Sequence, residues 1–184
     1  MQTWPADILD RISLETHFER TGIKCFSDRP SDLNAMVQEA LARNPDGEAL
    51  VCDDVRLTYR QMDDLIGAVA AGLAAVGLAK GDRMALLLAN GPEFLITLLA
   101  GLRIGAIAVP INVREQTPEL AEILNDCGAN VLVHDADITE KLPAAKDLPA
   151  LRHRFSVGGP AVGSLAYEVL SQTDARVPPV DVHE

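Results

Sequence analysis

Residues able to do chemistry are spread thinly along this chain. Cys25, Cys52 and Cys127 form no C-x-x-C, and no histidine stands at ligand spacing from any of them. Reduced, partly buried thiols are therefore expected, not a disulfide or a metal site. His17, His134, His153 and His183 are equally scattered, and no chemistry is assigned to them. Asp63 and Asp64 are adjacent, so on a helix they point different ways, and a solvated face is expected. Two glycine-bearing stretches invite a phosphate reading. "GLAKGD" (77–82) contains Lys80 but closes a helix and precedes a strand, so no helix N-terminus would face an anion. "SVGGPAVGS" (156–164) lacks lysine and reads as a turn. There is no G-x-G-x-x-G after a strand, no G-x-x-x-x-G-K-[ST], no G-x-S-x-G and no H-E-x-x-H. What remains is the polar end of "GLRIGAIAVPINV" (101–113), where Pro110 and Asn112 interrupt an apolar run before Arg114 and Glu115. It is either a buried helix-to-strand join or a strand that delivers its end to a binding site.

Composition narrows the classes. A chain of 184 residues that is 48% hydrophobic can bury a substantial single core. Sixteen basic against 27 acidic residues give a net charge of −11, a field that repels phosphate backbones and argues against nucleic-acid partners. Aromatic residues, at 4%, are too few for a base-stacking platform. The start, "MQTWPADILDRISLE", carries acids where a signal peptide needs basic residues. The apolar-leaning run 94–111 is broken by Thr97, Gly101, Arg103 and Gly105, too often for a membrane span. A soluble, cytoplasmic protein is expected.

The elements that must position any site follow from periodicity. Residues 1–30 read as a lead-in whose Ile8, Leu9 and Ile12 suit one short helix. From residue 31 a rhythm begins: Ser31 or Asp32 caps a helix that ends before Asn44-Pro45, and short strands follow at 49–52 and up to Leu57. Thr58 with Gln61 forms a capping box ahead of a small-residue-rich helix that Gly77 terminates. An unalternating apolar strand at 83–88 predicts burial on both faces and hence parallel neighbours. Pro92 opens the next helix, a strand runs over 106–111, Thr117-Pro118 opens another helix up to Gly128, and a strand follows at 130–133. Beyond Asp135 a short helix is predicted near 139–145, a strand at 154–157 and a last helix at 165–170. Alternating strands and helices predict an α/β fold with a doubly wound, largely parallel sheet flanked by helices over 31–172. Residues 173–184 read as a Pro-rich acidic exit linker.

Four ordered motifs then carry a resemblance. Leu57-Thr58-Tyr59-Arg60-Gln61-Met62, Gly81-Asp82-Arg83-Met84-Ala85, Asn90-Gly91-Pro92-Glu93, and 102–106 continuing through Val109-Pro110-Ile111-Asn112 stand in order. They resemble the L-T-Y-x-E-L, G-D-R-V-A, N-S-x-E and L-K-A-G-A-x-Y-V-P-L-N motifs of the AMP-forming acyl-adenylating superfamily, N-terminal region. Gln61 and Met62 replace Glu and Leu of the first motif, and Val113 replaces the proline after the last. The resemblance implies the N-terminal subdomain of an adenylate-forming ligase. Its parent would join a fatty or aromatic carboxylic acid to ATP with Mg, then pass the acyl group to coenzyme A.

The family's lysine-ended phosphate loop, adenine motif, ribose-binding Asp and C-terminal lysine are not found here, and Glu184 falls about where the phosphate loop would begin. The expectation is therefore a truncated N-terminal fragment of an acid–thiol ligase, inactive alone and binding no cofactor, whose parent's carboxylic acid and coenzyme A engage the missing portion. Self-association through the truncated face is expected. In coenzyme A-using members the loop after the Pro-x-Asn strand walls the thiol tunnel. By resemblance Asn112, Val113 and Arg114 are the cofactor-binding candidates, with Arg114 facing a phosphate. The alternative is that Arg114 is a surface residue paired with Glu115 or a helix acid. Asn112 favours an acyl- or aryl-acid ligase over an amino-acid-adenylating domain. A non-catalytic α/β interaction domain is the reading from another class.

Overall fold

The structure is a computed structural model that describes residues 4–172, 175, 177, 179 and 180. The chain opens with one helical turn, α1 (Ala6–Leu9), and then an antiparallel hairpin, β1 (Ile12–His17) and β2 (Arg20–Phe26). Ile12 thus starts a strand and does not extend a helix. The hairpin turns at Phe18 and Glu19, both at positive φ (50° and 63°), a conformation in which Asn-Gly would be usual.

Helix α2 (Leu33–Arg43) is capped by the Asp32 carboxylate, which accepts from the Ala35 N–H at 2.8 Å. A second hairpin, β3 (Glu48–Cys52) and β4 (Val55–Thr58), leads into α3 (Tyr59–Ala75). The capping box forms as read: Gln61 N–H donates to Thr58 Oγ1, and Thr58 N–H donates to Gln61 Oε1. Gly77 at φ +85° ends the helix, with its N–H on the Ala74 carbonyl and that of Leu78 on Leu73. The small residues of α3 permit close approach. A Cβ on Gly72 would lie 2.2 Å from the Leu170 carbonyl oxygen.

The remaining elements build the sheet: β5 (Arg83–Leu87), α4 (Pro92–Arg103), β6 (Ile107–Pro110), α5 (Thr117–Asp126), β7 (Val131–Asp135), β8 (His153–Val157) and β9 (Leu165–Ala166). All five strands are parallel, in the order β6-β5-β7-β8-β9. Met84, Leu86, Val131, Val133 and Phe155 join the core under α3 and α4, whereas Ala85, Leu87 and Leu132 pack with Leu120 and Leu124 of α5. Burial on both faces explains why β5 and β7 lack alternation. The helix predicted at 139–145 is instead a 3-10 turn, Ala136–Lys141, closed before Pro143, with a second turn at Ala145–Asp147. That predicted at 165–170 is β9 followed by a 3-10 turn, Tyr167–Ser171.

Asp63 is not on a solvated face. It forms an ion pair with Arg103, buried in the last turn of α4, and accepts from Gln38 Nε2 at 2.7 Å. The carboxylate thereby ties α2, α3 and α4 together. Of the exit segment, Val177 packs on the core and the Val180 N–H donates to the Arg103 carbonyl at 2.9 Å. Residues 173, 174, 176, 178 and 181–184 lie outside the described residues, as does His183.

Candidate functional site

The adjacent strands β5 and β6 end at a crevice. After β5 the chain leaves through α4 on one face, and after the adjacent β6 it leaves through α5 on the other. The loops that follow the two strands part there and leave a crevice at their carboxyl ends. The structure has a cavity of about 490 Å³ there. Leu88, Ala89, Asn90 and Phe94 wall one side, and Pro110, Ile111, Asn112, Val113 and Arg114 the other. The three residues singled out from the sequence thus come together on one wall.

The loops that carry these residues are held in place. Asp135, at the end of β7, accepts from the Ala89 N–H at 2.7 Å and pins the β5 exit. On the other side Ile111 N–H bonds the Leu86 carbonyl, continuing the ladder one residue beyond Pro110. Asn112 Oδ1 accepts from the Arg114 N–H at 3.0 Å, and Gln116 Nε2 donates to the Arg114 carbonyl at 2.8 Å. This is an Asx-type turn, so the Asn112 side chain is committed to shaping the loop. Lys141 Nζ reaches the Val113 carbonyl at 3.5 Å. Arg114 is exposed and, among the described residues, has no ion-pair partner; Glu115 is not its counter-ion.

Electrostatically the crevice differs from the molecule around it. None of its nine lining residues is acidic and one is a cation, on a chain with a net charge of −11. An anionic group of a ligand would find the guanidinium there, and the apolar part would find Leu88, Phe94, Ile111 and Val113. A lining without carboxylates offers Mg²⁺ no charged oxygen ligand. It also holds no nucleophile with an adjacent base.

Two groupings were not visible in the sequence. Hairpin pairing brings Glu15, His17 and Cys25 together, with ligand atoms within 4.8 Å of one another. Glu15 is, however, occupied by Arg29 through both guanidinium nitrogens at 3.0 Å, by Ser13 and by His17. The Arg29 hydrogen bonds, with those of Ser13 and His17, pull its carboxyl down to about 2. The set is an ion-pair cluster. The second grouping buries His134 at the end of β7 against Ser164. Either pairing would need the register of the strands, which residue types alone do not reveal.

A model for the AMP-binding enzyme family matches residues 37–180. The chain is 38% identical over 119 residues to the long-chain-fatty-acid–CoA ligase FadD13 of Mycobacterium tuberculosis, covering 65% of this chain and 22% of that protein. It is 39% identical over 101 residues to a feruloyl-CoA synthase of an Amycolatopsis species, covering 55% of this chain and 21% of that one. The chain thus spans about a fifth of the length of these curated relatives. Among solved structures, the anthranilate CoA ligase AuaEII in complex with anthranoyl-AMP superposes with a TM-score of 0.76 at 26% identity. That match covers 80% of this chain and 29% of that one.

Proposed function

Because this chain belongs to the AMP-binding enzyme family, matched over residues 37–180, we propose that it is the N-terminal scaffold of an ATP-dependent acid–thiol ligase. The parent activates a fatty or aromatic carboxylic acid as acyl-AMP and passes the acyl group to coenzyme A. This chain contributes the acceptor wall and not the adenylating machinery. The observation that supports this reading is the placing of the Pro110–Arg114 turn at the crevice beyond β5 and β6, with its cation turned to solvent and unpaired among the described residues. Fatty and aromatic acids are preferred over amino acids because Asn112 occupies the position after the Pro-Ile pair, and because FadD13 and the feruloyl-CoA synthase are named for such acids.

Coenzyme A would supply the thiol that accepts the acyl group. The residues here have simpler tasks. Arg114 meets a phosphate of the cofactor, Asn112 holds the turn that presents Arg114, and Val113 with Ile111 excludes water from the apolar side. ATP and Mg²⁺ would be held elsewhere, since the chain has no lysine-ended phosphate loop and the crevice no carboxylate. Two measurements test this division. ATP–pyrophosphate exchange with this chain and a panel of fatty and aromatic acids should stay at background; clear exchange would contradict it. Although the sequence alone leads to the expectation of no bound cofactor, the crevice offers an unpaired guanidinium to a phosphate, and calorimetric titration with coenzyme A should give binding that Arg114→Ala weakens about tenfold, the loss expected of one charge-assisted phosphate contact. Equal affinity for both proteins would remove Arg114 from the site.

A further inference from the structure

Outside the crevice, the carboxyl edge of the sheet holds a nucleophile with a base. Ser164 Oγ lies 2.8 Å from His134 Nε2, and His134 Nδ1 lies 2.8 Å from the Asp135 carbonyl oxygen. A carbonyl can only accept, so Nδ1 carries the proton and Nε2 presents its lone pair to the serine hydroxyl. The ring is fully buried between β7 and its neighbours, so its orientation is set by these two contacts. This is the pattern of an activated hydroxyl: nucleophile, base, and a third group that fixes the tautomer.

The serine is the more exposed member of the pair. Ser164 is half-buried and follows Gly163, which sits at φ +77° with nothing within 4 Å of where a side chain would begin; Gly158 is equally open. Val162 and Leu165 flank the serine and are 91% and 50% exposed, an apolar pair beside a polar nucleophile. We propose that Ser164, with His134 as general base, accepts apolar acyl groups from activated esters. Oγ attacks the ester carbonyl carbon as its proton passes to Nε2. The tetrahedral adduct expels the alcohol oxygen, which takes that proton from His134. Water, deprotonated by the same nitrogen, then attacks the acyl carbonyl, and Ser164 Oγ leaves with the acid released, taking its proton back from His134. The site lies on β7 and in the turn before β9 and goes beyond the coenzyme A reading of the β5–β6 crevice, so either can fail without the other.

The test uses the whole chain with an alkyl fluorophosphonate, whose phosphorus Ser164 Oγ attacks with loss of fluoride, and p-nitrophenyl octanoate as ester. Expected is a single adduct, mapped by peptide mass to the peptide containing Ser164, with ester turnover. Both should vanish in Ser164→Ala and persist in Ser171→Ala. His134→Gln should slow labelling on the order of a hundredfold, the contribution of a positioned base. No adduct at Ser164, or unchanged labelling in His134→Gln, would overturn the proposal. If His134→Gln does not fold, the pH profile of wild-type labelling decides. The charged groups that face the ring are Asp135 and Arg154. Labelling that falls as acid protonates His134 supports the proposal, and a flat profile overturns it.

Discussion

At the scale of single residues, buried charge is the sharpest feature. Arg103 is buried with its Nε unpaired, and Asp63 is its counter-ion. Removing the carboxylate leaves a cation without compensation, so Asp63→Ala should lower the unfolding free energy by about 3 kcal/mol, read from urea denaturation. A loss no larger than that of Asp64→Ala would show that Asp63 is solvated after all. His134 makes a pH-dependent contribution. Burial, the largest influence, pushes its pKa below the ordinary 6.5. The folded state therefore prefers the neutral ring. This contribution is complete above pH 6.5 and is lost as pH falls from there through the depressed value. Stability measured across that window should fall more steeply for the wild type than for His134→Gln; parallel curves would contradict the burial argument. Neither residue could be placed from its type. Asp63 looked like half of a surface pair because its partner stands forty positions away, on the next helix.

At the scale of elements, the helices that pack on the sheet were legible because their ends are written in local chemistry. Asp32, the Thr58–Gln61 box, Pro92 and Thr117-Pro118 each sit where the structure starts a helix. Gly77 and Gly128, at positive φ, stand where two of them stop. The hairpin β1–β2 was not legible, since its turn uses Phe18-Glu19 in a conformation that propensity assigns to Asn and Gly. The 3-10 turns were read as helices because a single apolar turn looks the same in either geometry. Element packing gives a direct expectation. Gly72→Ala drives a methyl group into the Leu170 backbone and should cost about 1–3 kcal/mol. The corresponding change at Gly101 meets only the mobile end of Met84 and should cost less. Thermal melts of the two variants compare them; equal melting temperatures would mean that α3 and the Tyr167–Ser171 turn are not in close contact.

At the scale of the whole molecule, the crevice lies where the loops leaving β5 and β6 run to opposite faces of the sheet. The side chains then decide what can enter: an acid-free lining with one arginine, on a strongly acidic protein. The polar end of the 101–113 stretch could be suspected in the sequence, through Pro110, Asn112 and Arg114, but the opposite wall of Leu88, Ala89, Asn90 and Phe94 could not. That wall exists because β5 and β6 lie side by side, and the Asp135 bond that pins Ala89 crosses forty-six positions. Among the described residues no helix is long and apolar enough to cross a membrane. The most direct test is a coenzyme A titration followed by amide chemical shifts. Changes should be confined to residues 88–90 and 111–114 and should weaken with Arg114→Ala. An unperturbed spectrum at millimolar coenzyme A, or changes centred away from the crevice, would contradict the assignment of this wall to the acyl acceptor.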